Sequence, residues 1–139
     1  MEKIYSKINT GLLLHIVWRV EDFYLMLEDR TNIIDPDNFI QCSALNLEQG
    51  TTFKPHSHNI HFVSENKKAQ ESWHVLYGQV ECTFYDIDNT IISTIVLNVG
   101  DTSFTLHGGH NYNILSQKAL VLEYKTGKYL GQQTDKTFI

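Results

Sequence analysis

From residue 12 onward the chain breaks into short runs of β-branched and aromatic residues, each closed by a turn residue. Such a pattern leaves few folds open, because strands this short bury their faces only by packing sheet on sheet. The runs are Leu12–Val20, Phe39–Leu47, Thr51–His58, Ser72–Tyr77, Gln79–Asp86, Ile91–Leu97, Thr102–Leu106, His110–Leu115 and Ala119–Lys125. Asp88-Asn89 favours a tight hairpin, and Gly50, Gly78 and Gly100 stand at strand junctions where positive φ is cheap. Asn59 to Gln70 is polar and reads as a loop, and Phe23–Asp37 fits either a helical turn or a strand. No other stretch holds a helical period. The chain therefore reads as all-β, a jelly-roll barrel whose two sheets enclose a cavity.

With 139 residues, two prolines and no low-complexity linker or internal repeat, it reads as one domain, residues 1–139. The core spans about 39–127, preceded by a strand segment at about 12–20. A domain of this size buries roughly two-thirds of the surface its unfolded chain exposes. It can fold without disulfides or a structural metal, so a bound metal would serve function. Cys42 and Cys82 make no C-x-x-C pair and read as reduced strand residues. At 42% hydrophobic and 19% charged residues the composition is globular. The net charge of −5, with no basic stripe, argues against nucleic acid as a partner. The longest apolar stretches, Leu12–Leu14 and Ile16–Trp18, fall far short of the roughly 20 residues that span a bilayer. The N-terminus lacks the order of a signal peptide, and a cytoplasmic location is expected.

Of seven histidines, four fall in Pro55–His74. His56 and His58 stand at i and i+2, so on a strand both imidazoles point into one space, roughly 6–7 Å apart at the backbone. His-x-His pairs also occur on solvated strands, but Glu71 opens the next strand with a carboxylate, and Gly108-Gly109-His110 starts another with a third imidazole. His56, His58, Glu71 and His110 form a borderline-hard donor set. It suits one divalent transition ion, Fe, Mn, Ni, Co or Zn, and leaves open positions on an octahedral ion.

Gly50, five residues, His56-Ser57-His58, and Glu71, six residues, Gly78 match the spacings of a G-x5-H-x-H…E-x6-G motif. Twelve residues separate His58 from Glu71 where the motif has three or four. A second motif, G-x5-P-x-G-x2-H-x3-N, is met in part: Gly100 and Gly108 fit, Leu106 takes the proline slot, and His110 falls one residue early. On these residues, with Phe53-Lys-Pro-His-Ser-His and Glu123-Tyr-Lys-Thr-Gly, the chain resembles the cupin superfamily. In particular it resembles short cupins that accompany bacterial surface-polysaccharide biosynthesis. The resemblance runs from about Phe39 to the C-terminus and implies the barrel and a metal site without fixing a reaction.

Strand parity sorts the remaining residues. Trp73, Val75 and Tyr77 share a face with Glu71, and Tyr112 and Ile114 with His110. The aliphatics read as core. Trp73 and Tyr112 read equally as core or as aromatic walls of a carbohydrate-binding cavity. Lys54 shares parity with His56 and His58 and could meet an anionic substrate group or snorkel to solvent. His74 should face away from Glu71; His61 and His107 read as loop or surface, and His15 as a core or interface histidine. Glu123 and Lys125 share one face of the last strand and fit a solvated edge equally well.

The leading functional expectation is a metal-dependent enzyme, an isomerase, epimerase or oxygenase, on a small sugar or sugar acid. The alternatives are a non-catalytic small-ligand module and a metal-free sugar-nucleotide epimerase using histidine with a carboxylate. Pairing of Leu12–Trp18 across a two-fold axis would make the chain a homodimer.

Overall fold

The computed structural model describes residues 1–62, 67–128 and 130–139. Its strands are β1 (Glu2–Tyr5), β2 (Leu13–Val17), β3 (Arg30–Asn32), β4 (Ile40–Glu48), β5 (His56–His58), β6 (Ile60–Phe62) and β7 (Lys67–Lys68). There follow β8 (Glu71–Tyr77), β9 (Val80–Tyr85), β10 (Ile91–Leu97), β11 (Thr102–Thr105), β12 (Gly109–Ile114), β13 (Lys118–Thr126) and β14 (Lys136–Phe138). One five-stranded sheet has the order β10-β9-β12-β5-β14, and the other β11-β8-β13-β4-β3. The neighbours β12-β5 and β13-β4 are distant in sequence, as the crossovers of a jelly roll require. β3 and β14 extend the sheets beyond the 39–127 stretch read as core.

Period-two alternation fills the space between the sheets. Leu45, Leu47, Trp73, Val75 and Val121 from one sheet meet Val80, Cys82, Tyr112 and Ile114 from the other. The outer face of β4 is covered as well. Cys42 and Ala44 pack with Phe23, Ile33 and Leu120 in a second cluster, flanked by Ile16, Trp18 and Met26. This resolves Phe23–Asp37: a 3-10 turn over Val20–Leu25 drives Phe23 into that cluster, edge-on to Trp18, and β3 follows.

Three expectations change. The stretch Asn59–Gln70 is not wholly loop, because Ile60 and Phe62 carry enough β-propensity to pair β6 with β7. The run Thr51–His58 contracts to β5 with an isolated bridge from Thr52 to Asn113, since Pro55 has no N–H to donate to a ladder. Tyr77 does not line the interior. The ladder between β13 and β8 shifts register between Leu120 and Val121, the alternation breaks, and Tyr77 ends 56% exposed. The hairpin at Asp88-Asn89 forms, with Asn89 at φ 71° between β9 and β10. No helix of the described residues is long and apolar enough to cross a membrane.

Candidate metal centre

β5 is three residues long and lies between β12 and β14. Its pleat sends His56 and His58 inward, both 3% exposed, while Ser57 between them is only half-buried. His110 stands directly across from His56 in the ladder, with ring centroids 4.8 Å apart. Glu71 is the first residue of β8 and enters from the opposite sheet. One ligand atom from each of His56, His58, Glu71 and His110 falls within 4.8 Å of the others, and all four residues are buried. This group could hold a metal ion. The long gap between His58 and Glu71 is accommodated by the β6–β7 ribbon and leaves the position of Glu71 at the strand start unchanged.

Hydrogen bonds prepare the imidazoles. His56 Nδ1 donates to the Lys54 carbonyl at 2.8 Å, so its Nε2 keeps a bare lone pair. His110 Nδ1 pairs with the Thr105 hydroxyl at 2.7 Å. Nε2 of His56, both ring nitrogens of His58 and Nε2 of His110 are buried without a well-formed hydrogen bond. Nε2 of His110 lies 3.1 Å from Oε1 of Glu71, and Nε2 of His58 lies 3.4 Å from Oε2. Orphaned buried polar atoms each cost roughly 1–3 kcal/mol, and here one nitrogen of each ring converges with a Glu71 oxygen on one point. A divalent cation there satisfies one nitrogen on each ring, and the donor chemistry fits it.

Electrostatics keep His56, His58 and Glu71 in their ligating forms. Burial lowers His56 to about 4 and His58 to about 3, so both rings stay neutral at ordinary pH. Burial acts to raise Glu71, but the His110 ring nitrogen 3.1 Å from Oε1 and the charges around it, Lys125 among them, hold it well below the usual carboxylate range. These shifts share one sign. The unfolded chain protonates its histidines near 6.5 while the folded one does not, so stability is full above that pH and is lost as pH falls through 4 and 3. The Glu71 carboxylate also loses its stabilising contribution on acidification. Metal-free protein should therefore melt at a lower temperature at about pH 4 than at about pH 7, His56 alone accounting for on the order of 3 kcal/mol at full effect. Thermal melts across that range check it, and a flat profile would contradict the burial of neutral rings.

A cavity of about 390 Å³, within the range of small-molecule sites, is lined by His56 and Glu71 of the four residues. Trp73 and Tyr112 line it and also belong to the core: each is 1% exposed, and their rings stack 3.8 Å apart at 9°. Lys54 does not line this cavity. It is exposed, with Nζ 5.8 Å from the Phe138 ring beside a smaller adjoining pocket. The solvated-edge reading of Glu123 and Lys125 is overturned, since they are 8% and 7% exposed and both face the cavity. Glu123 accepts from Arg30 at 2.6 Å and from Trp73 Nε1 at 3.3 Å, and Lys125 Nζ lies 3.2 Å from Glu71 Oε2. Sequence reasoning also missed Arg30 and Lys136, which line the cavity from β3 and β14. Parity of Glu123 and Lys125 on an otherwise apolar strand was the available signal; nothing local marked the other two.

His74 turns away, its Nδ1 2.7 Å from the Thr102 hydroxyl. His107 is exposed, and so is His15, which is therefore no core residue of the chain. The side chain of His61 lies outside the described residues.

No family model matches the sequence, and no curated protein matches it. Solved structures do. KdgF from Halomonas sp. superposes with a TM-score of 0.56 at 17% identity, over 73% of this chain and 79% of that one. The capsular polysaccharide assembling protein CapF from Staphylococcus aureus gives 0.65 at 18% identity over 79% of this chain. Oxalate decarboxylase from Bacillus subtilis gives 0.58 at 15% identity over 74% of this chain. The chain spans 31% of CapF and 24% of the decarboxylase. At these identities the likeness concerns fold, and the fold is the cupin jelly roll.

Proposed function

We propose that the chain is a metal-dependent enzyme of the cupin type, acting on a small sugar or sugar acid by isomerisation, epimerisation or oxygenation. The observation that carries this reading is the convergence of buried imidazole nitrogens that lack a well-formed hydrogen bond on the Glu71 carboxylate, beside a cavity that His56 and Glu71 line. His56, His58, Glu71 and His110 would hold the ion. Bound there, the ion supplies Lewis acidity and open coordination positions for a substrate's oxygens.

The chain's own residues do the rest. The Lys54 carbonyl and the Thr105 hydroxyl orient two of the rings from behind. The Trp73–Tyr112 stack gives the cavity a rigid aromatic wall that excludes water from one side. Arg30 and Trp73 fix the Glu123 carboxylate at the cavity lining, where it can take or return a substrate proton. A role in polysaccharide assembly is supported by the likeness to CapF. A homodimer is supported by the β1–β2 hairpin, which exposes Ile4, Tyr5, Leu12, Leu13 and Leu14. We take the protein to work as a single domain in the cytoplasm.

Elemental analysis of protein purified without a histidine tag tests the reading. About one equivalent of a first-row divalent ion per chain is expected. Protein that stays metal-free after incubation with Fe(II), Mn(II), Ni(II), Co(II) and Zn(II) in turn would overturn it.

A further inference from the structure

The charges lining the cavity do not balance. Arg30, Lys125 and Lys136 face Glu71 and Glu123, a surplus of one positive charge. A divalent ion on the four donors raises that surplus to three, because an imidazole that ligates an ion brings no charge of its own. Such a surplus in a partly enclosed site of low dielectric is costly unless the ligand itself brings negative charge.

The cations also differ in their commitments. Arg30 holds Glu123 from β3, at 2.6 Å, and Lys125 holds Glu71 from β13, at 3.2 Å. Lys136 has no ion-pair partner among the described residues. It sits on β14 opposite His58, in the sheet that carries the imidazoles. It lines both the main cavity and the adjoining pocket bounded by Lys54 and Phe138, so it stands where the two meet.

We propose that this cavity selects an acidic ligand over a neutral one, a sugar acid and not a neutral sugar, with Lys136 receiving its carboxylate. The proposal rests on the metal-site reading for the ligand's other attachment, and it adds the charge class and the residue that reads it. A lysine does this as a compact point charge with three donors, and a charge-assisted hydrogen bond is stronger than a neutral one.

Glucuronate and glucose, which share a pyranose ring and differ in the carboxylate, are the probes. Their binding to purified protein is followed by calorimetry, with metal content measured on the same samples. Glucuronate should bind at least about tenfold tighter than glucose, and added salt should narrow the difference. Lys136→Met should weaken glucuronate by about ten- to a hundredfold and leave glucose unchanged; Lys136→Arg should retain most of the preference. Lys136 is half-buried on an edge strand, and thermal melts of both variants check that they fold. Equal affinity for the two sugars overturns the proposal. So does an unchanged glucuronate affinity in Lys136→Met, or no saturable glucuronate binding up to tens of millimolar, whether or not the ion is present. Failure of the metal reading looks different: the samples hold no ion, yet the Lys136-dependent preference persists.

Discussion

Replacing His56 and His58 together with alanine should take the bound divalent ion from about one equivalent per chain to none while the barrel stays folded. Each imidazole supplies one of four donor atoms, and removing two leaves a carboxylate and a single ring, too few to hold a first-row ion against water. The fold should survive because the inter-sheet core is built from Leu45, Val75, Val80, Ile114 and Val121, none of which depends on the ion. Removing the rings also removes orphaned buried nitrogens, so metal-free double mutant should match or exceed metal-free parent in stability. Elemental analysis and far-ultraviolet circular dichroism on one preparation decide the matter. A folded double mutant with full metal content would show that the ion sits elsewhere.

The second large effect is expected at Trp73. Its ring is stacked on Tyr112, met edge-on by Phe53 at 5.5 Å, and tied through Nε1 to Glu123. Trp73→Ala would open a large void between the sheets and take one donor from a buried carboxylate, at a cost of about 3–5 kcal/mol. That is a large part of the stability of an ordinary domain. Urea unfolding should show the midpoint falling with little change in slope. If Trp73 were only a wall for ligand, its loss would leave the midpoint nearly unmoved and weaken ligand binding alone.

Much of this site was legible in the sequence because strand geometry is periodic. Alternation alone put His56 and His58 on one face, sent His74 to the other, and grouped Tyr112 with His110. It succeeded where ladders are regular, as between β12 and β9, and failed at Tyr77, where a register shift in the neighbouring ladder breaks the parity. The residues that escaped were those placed by partners distant in sequence. Arg30 reaches the cavity through a bond to Glu123 across 93 positions, and Lys136 through pairing of β14 with β5. No local pattern encodes such contacts. Glu123 and Lys125 show a third kind of miss: charged residues usually mark a solvated face, and only the cavity makes an inward pair tolerable.

The pairing of β14 with β5 also carries a consequence in time. Thr137 bonds Asn59 beside the histidine strand across 78 positions, and the Pro55 carbonyl accepts from the backbone N–H of Ile139 at 3.0 Å. During synthesis at roughly 5–20 residues per second, residues 136–138 leave the ribosome several seconds after His58. Until they do, one edge of β5 stays open, and the two imidazoles hang on a ribbon anchored from one side only. Glu71 and His110 are already made by then, so the four donors exist as a loose set before they become a rigid one. Capture of an ion in that interval would select for whichever metal binds fastest to flexible ligands, and closure by β14 would then set how slowly it leaves.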